Sequence, residues 1–135
     1  MKLREYPQFA PLVLRIVLGI TFLIHGILKF SSIEQTIQGF TQMGMPLPGI
    51  AGPLVALVEV IGGLALILGI GTQLFALLLA IVMLVAIVFV KGGSGFVGGF
   101  EYELALLAGL VALILSGPGV WALAVERKML KGAQA

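Results

Sequence analysis

The chain has 135 residues, of which 60% are hydrophobic and only 10% charged, with a formal net charge of +2. A soluble domain carries roughly 25% charge, so this composition, with a mean hydropathy of +1.19, excludes a soluble enzyme, a disordered tail and a nucleic-acid binder. With no cysteine and one histidine, a disulfide framework, an iron–sulfur cluster, a Cys-rich zinc site and bis-histidine haem within one chain are excluded too.

The length allows one domain, residues 1–135. A membrane helix needs about 20 apolar residues to cross ~30 Å of hydrocarbon. The first predicted span covers about 8–30 and carries Arg15, His25 and Lys29. It is too long and too interrupted by charge for a cleaved signal peptide, and no Ala-x-Ala site follows it. Ser32 and Gln35 then stand at capping-box spacing. Ile33, Ile37 and Phe40 recur on one helical stripe, which predicts a short interfacial helix over 33–43. The run Gly44-Met45-Pro46-Leu47-Pro48-Gly49 breaks it.

From Pro53 to Val90 the one charge is Glu59. At 1.5 Å per residue that stretch is about 57 Å long, enough for two spans. They are placed at about 52–70 and 72–91, turning near Gly69-Ile70-Gly71. The stretch from Lys91 to Phe100, half of it glycine, reads as a pliable loop whose two Phe side chains reach the headgroups. A fourth span covers about 101–117 and ends at Gly117-Pro118-Gly119, because Pro cannot continue helical hydrogen bonding. Trp121 reads as an interface anchor. The predicted fold is all-α: an integral membrane four-helix antiparallel bundle with a short interfacial helix between spans one and two.

Four spans put both termini on one side. That side carries Lys2, Arg4, Arg127, Lys128 and Lys131, against Lys29 and Lys91 on the other. The excess predicts cytoplasmic termini in a multi-pass protein of the bacterial or archaeal inner membrane.

Ionised groups inside hydrocarbon are costly and usually face a bundle interior with a partner. At about 100° per residue, Arg15, His25 and Lys29 share one face of span one with Gly19 and Gly26. In span two, Gly62 and Gly63 flank Glu59 in the same way. Small residues beside a polar one let helices approach closely, so these two faces are expected to meet. Counting rise along each span puts His25 and Glu59 near one depth, with Arg15 reaching toward Glu59 from below and Glu103 level with Lys29. Glu101 and Glu103 point about 200° apart on a helix, and Glu103 is taken as the inward one. The expected cluster is thus Arg15, His25, Lys29, Glu59 and Glu103. One His and two Glu make a weak case for metal, and no metal ion is predicted. The Met residues are scattered and do not read as a cofactor box.

These residues and their flanks resemble the DoxX family. Leu14-Arg15-Ile16-Val17-Leu18-Gly19, then His25-Gly26 and Lys29, is similar to its first span. Gly44-Met45-Pro46-Leu47-Pro48, followed by Glu59-Val60-Ile61-Gly62-Gly63 and Gly69, is similar to its second. Glu103 heads the fourth span and Gly117-Pro118-Gly119 closes it. The likeness covers nearly the whole chain and rests on order and spacing. It departs at the end, where Val120-Trp121-Ala122-Leu123 replaces the family's aromatic, small polar and Asp residues. The resemblance implies a four-helix inner-membrane protein, in a family named for a subunit of a thiosulfate:quinone oxidoreductase.

Three functions follow from the cluster. In the first, the chain is a membrane subunit of a redox complex that binds quinone, with a partner protein delivering electrons. His25, Lys29 and Glu59 then serve its carbonyls and protons. In the second, it is a non-catalytic scaffold or assembly factor, its buried charges fixing helix register. In the third, it is a small proton-coupled transporter that uses Glu59. The partners expected are the lipid bilayer, a protein of a redox complex and, from the glycine-lined faces, a second copy of the chain.

Overall fold

The computed structural model describes residues 6–91 and 93–123, without the side chains of Val90 and Lys91. The terminal cations behind the predicted orientation, Lys2, Arg4, Arg127, Lys128 and Lys131, lie outside the described residues.

A 3-10 turn, Pro7–Phe9, leads into α1, Ala10–Ser31, with Pro11 in its first turn. Proline belongs there because its missing N–H falls among donors that have no helical partner. Helix α2, Ile33–Gln42, follows after Ser32. Ser32 is the N-cap residue, but its side chain makes no capping bond, so the expected capping box is not formed. Instead, the Thr36 hydroxyl donates to the carbonyls of Lys29 and Ser32, tying the α1–α2 joint. Helix α3 runs from Pro48 to Leu68. It begins ahead of residue 52 because Pro48, at its first position, starts a helix rather than breaking one. Its end is a Schellman turn: Gly69 is left-handed, and the N–H groups of Ile70 and Gly69 reach the carbonyls of Ala65 and Leu66.

Helix α4, Thr72–Val85, continues as a π-helical turn over Ala86–Lys91. The glycine-rich connection folds into a kinked turn, Phe96–Phe100, in which Gly98 has φ 71°. Phe96 and Phe100 pack edge to face within it. Helix α5, Glu101–Ser116, completes the set.

Among the described residues, four segments are long and apolar enough to cross a membrane: Pro7–Ser31, Pro48–Leu68, Thr72–Phe89 and Phe96–Ser116. Their neighbours in space follow chain order. α1 packs on α3, α3 on α4, α4 on α5, and α5 closes back on α1. This is the up-down-up-down four-helix bundle that short connections produce. Outside it lies a belt of exposed aliphatics, including Val17 and Ile24 on α1, Ile61 and Leu64 on α3, and Leu77 and Ile81 on α4. A continuous apolar belt of this kind has lipid as its natural solvent.

The α1–α3 interface is the most extensive, and glycine makes it so. A Cβ on Gly63 would sit 2.6 Å from the Leu23 nitrogen and 2.7 Å from the Gly19 carbonyl oxygen. One on Gly26 would sit 3.0 Å from the Ala56 carbonyl oxygen. The two backbones therefore touch directly, the close approach that small residues permit in membranes. Gly62 faces the other way and seats Leu79 of α4.

The hydrophobic core includes Leu18, Phe22, Leu66, Leu79, Leu110 and Leu113. It fills the half of the bundle away from α2. The half beneath α2, which packs on α3 through Ile37 against Gly52, is not filled.

Candidate functional site

The unfilled half is a cavity of about 230 Å³. Every long helix contributes to its wall. Phe22 of α1, Val55 of α3, Val82 and Met83 of α4 and Leu106 of α5 supply apolar surface. Phe40, Met43 and Met45 close it from the α2 side. His25, Lys29, Glu59 and Glu103 all line it.

The polar centre is the pair Lys29–Glu59. The ammonium stands 2.9 Å from Oε1 and 2.8 Å from Oε2 of the carboxylate. The Glu59 side chain is 3% exposed and that of Lys29 27%. A charge this deep is tolerable only with a close partner, and the α1–α3 contact supplies one. His25 takes a different place. It lies largely exposed at the lip, about 80° round the helix from Arg15, at the edge of the buried stripe. Its Nε2 lies 3.4 Å from the Tyr102 hydroxyl, with the two rings 6.2 Å apart. Glu103 has one carboxylate oxygen shielded from solvent. Glu101 is exposed and accepts the Gly98 N–H at the loop.

Arg15 does not join this group, contrary to the expectation that it reaches toward Glu59. It is fully buried at the opposite end of the bundle. There its Nη2 donates to the carbonyl of Val120 at 2.7 Å. The segment after α5 folds back under the bundle: the Val120 N–H reaches the Gln8 carbonyl, and Trp121 packs edge to face on Phe9. Gly69 and Gly119 let this strap lie close, since a Cβ on Gly69 would meet Ala122 and one on Gly119 would meet the Gln8 carbonyl oxygen. Arg15 is thus the pin of a terminal strap.

Sequence reasoning passed over Tyr102 and read the methionines as scattered, whereas Met43, Met45 and Met83 all line the cavity. A tyrosine one residue before Glu103, in the first turn of an apolar span, is the signal that was there to read. The methionines come from separate elements and meet only in the fold. Among the described residues, no three His, Asp or Glu side chains gather as metal ligands.

Chemically, the site offers an apolar, ring-sized space with a neutral ion pair on its wall and a hydroxyl–imidazole pair at its lip. It defines a small four-helix membrane protein with a polar intramembrane pocket. The family model for DoxX matches residues 10–92, and the chain belongs to the DoxX family. A protein of Bacillus subtilis named "Putative oxidoreductase CatD" is 36% identical, over 82% of this chain and 81% of its own. The "Uncharacterized membrane protein Rv3486" of Mycobacterium tuberculosis is 35% identical, over 90% of this chain and 82% of its own. The "Inner membrane protein YqjF" of Escherichia coli is 35% identical, over 90% of this chain and 94% of its own. No solved structure matches the chain.

Proposed function

We propose that this protein is the membrane subunit of a redox complex and binds a quinone headgroup in the cavity beneath α2. The observation that carries the proposal is the Lys29–Glu59 pair lining a largely apolar cavity of about 230 Å³. Ligand pockets run from about 300 Å³ upward, so this one suits a single ring and little more. An ammonium has three N–H groups. Glu59 engages two, which leaves one for a ligand carbonyl. His25 stands on the wall as a second hydrogen-bonding group, and Glu103 as a carboxyl able to hold a proton. A quinone bound there supplies two-electron, two-proton chemistry. The residues named orient the ring, exclude water around it and keep protons within reach. Electrons come from a partner, because this chain has no cysteine and a single histidine with which to hold a redox centre. The name of the B. subtilis relative points in the same direction. The setting we propose is a bacterial or archaeal inner membrane with both termini in the cytoplasm.

The closed Lys29–Glu59 pair also favours a second reading. A satisfied ion pair across α1 and α3 fixes their register without any ligand, as a scaffold protein requires. The same closure argues against a transporter, since both Glu59 carboxylate oxygens are already engaged by Lys29. Native mass spectrometry of the protein, gently extracted from its own membrane, separates the first two. A retained quinone-sized mass or a redox partner chain is the expected result. A bare chain with phospholipid alone overturns the redox reading in favour of the scaffold.

A further inference from the structure

The cavity must fill from somewhere, and α1 and α5 are the least closely packed of the bundle's four neighbouring helix pairs. Those helices touch closely where Leu18 meets Gly109, a Cβ there standing 3.1 Å from the leucine. From that point toward α2 the seam is bordered by Thr21 and His25 on one side and Leu106 and Tyr102 on the other, and all four line the cavity. His25 and Tyr102 span it with their 3.4 Å contact. Both are exposed on the lipid-facing surface, Tyr102 at 48%. His25 lies six residues before the end of α1, about 9 Å along the helix, and Tyr102 stands in the first turn of α5. Lipid tails offer this imidazole and hydroxyl no hydrogen bond. The pair satisfies itself at long range, and a polar ring passing between the helices satisfies both groups better.

We infer that the α1–α5 seam is a lateral portal, with Tyr102 and His25 as its latch, and that the occupant is an amphiphile whose polar ring enters the cavity while its hydrocarbon tail stays in the bilayer between α1 and α5. Tyr102 becomes a ligand-binding residue, its hydroxyl exchanging the imidazole for a ring oxygen. The inference rests on the quinone reading and goes beyond it, by adding a route, a tail path and a residue. Glu103, one position along, faces the same ring from the cavity wall.

The test uses the intact protein in phospholipid vesicles and a decyl-tailed benzoquinone carrying a diazirine early in its tail. On irradiation, adducts are expected on α1 and α5, suppressed by excess tail-less dimethoxymethylbenzoquinone. Suppressible adducts on residues 40–45 or on α4 overturn the portal and leave the headgroup site standing. Adducts that excess competitor does not suppress overturn both. Tyr102→Phe keeps the ring and removes the hydroxyl, so it should weaken retention of the probe about three- to tenfold. Unchanged retention removes Tyr102 from the site.

Discussion

The Lys29 ammonium chelates the Glu59 carboxylate, 2.9 Å from Oε1 and 2.8 Å from Oε2, across the tightest helix interface of the molecule. Removing Glu59 leaves the Lys29 ammonium, 27% exposed, charged and without its carboxylate. Glu59→Gln should therefore cost about 2 kcal/mol of stability. Adding Lys29→Gln should recover most of that loss, because an amide pair can hydrogen-bond in the same space. Denaturant unfolding in a fixed detergent measures both. If the pair serves a ligand as well as the fold, the recovered double variant still fails to retain quinone. A double variant that retains it supports a purely structural pair.

The direct backbone contact of α1 and α3 predicts a steep response to a single methyl group. Gly63→Ala places a Cβ where the Leu23 nitrogen and Gly19 carbonyl already stand, and should cost about 2–3 kcal/mol through overpacking. Gly49→Ala, in the first turn of α3 with open space around it, should change stability by no more than about 0.5 kcal/mol. Thermal unfolding of the two variants side by side gives the comparison. Equal effects would mean the interface is looser than its geometry.

Arg15 pins the terminal strap through the Val120 carbonyl, so Arg15→Ala should free residues 117–123 from the underside of the bundle. Loss of a buried charge-assisted hydrogen bond costs about 1.5–3 kcal/mol. Trp121 is the single tryptophan, which makes its fluorescence a specific report. Release from Phe9 should alter its emission and its collisional quenching. Because Arg15 does not line the cavity, retention of a quinone probe should stay within about twofold. A large change there would tie the strap to the site.

Leu47 stands before α3 with φ 49° and ψ 58°, a left-handed conformation that β-carbon sterics disfavour by roughly 1 kcal/mol. Its side chain is 70% exposed. Leu47→Asn relieves the strain and loses little packing, so stability should rise by about 0.5 kcal/mol. A fall instead would mean that the leucine gains more from lipid contact than its backbone costs.

The spans were legible because their signal is local: apolar length, proline and glycine punctuation, and a charge count near zero between Pro53 and Val90. The α1–α3 face was legible too, since Gly19, Gly26 and Gly63 recur at helical spacing beside charged residues. The partner of Arg15 was not. It is a backbone carbonyl beyond the Gly-Pro-Gly break, 105 residues away, and backbone carbonyls leave no mark in a sequence. A wheel treats every polar residue on one face as one group, whereas the bundle sends Arg15 to one end and Lys29 to the other. Tyr102 was hidden for another reason. Within an apolar helix, a tyrosine that anchors in headgroups and one that lines a pocket carry the same letter.

The joined charges of Lys29 and Glu59 sum to zero. A unit with no net charge feels no net pull from the membrane voltage, which is worth about 2.3 kcal/mol per elementary charge per 100 mV. A neutral guest at this depth would therefore partition in and out equally in an energised and a resting membrane. A charged guest would have its occupancy set by the polarity of the cell.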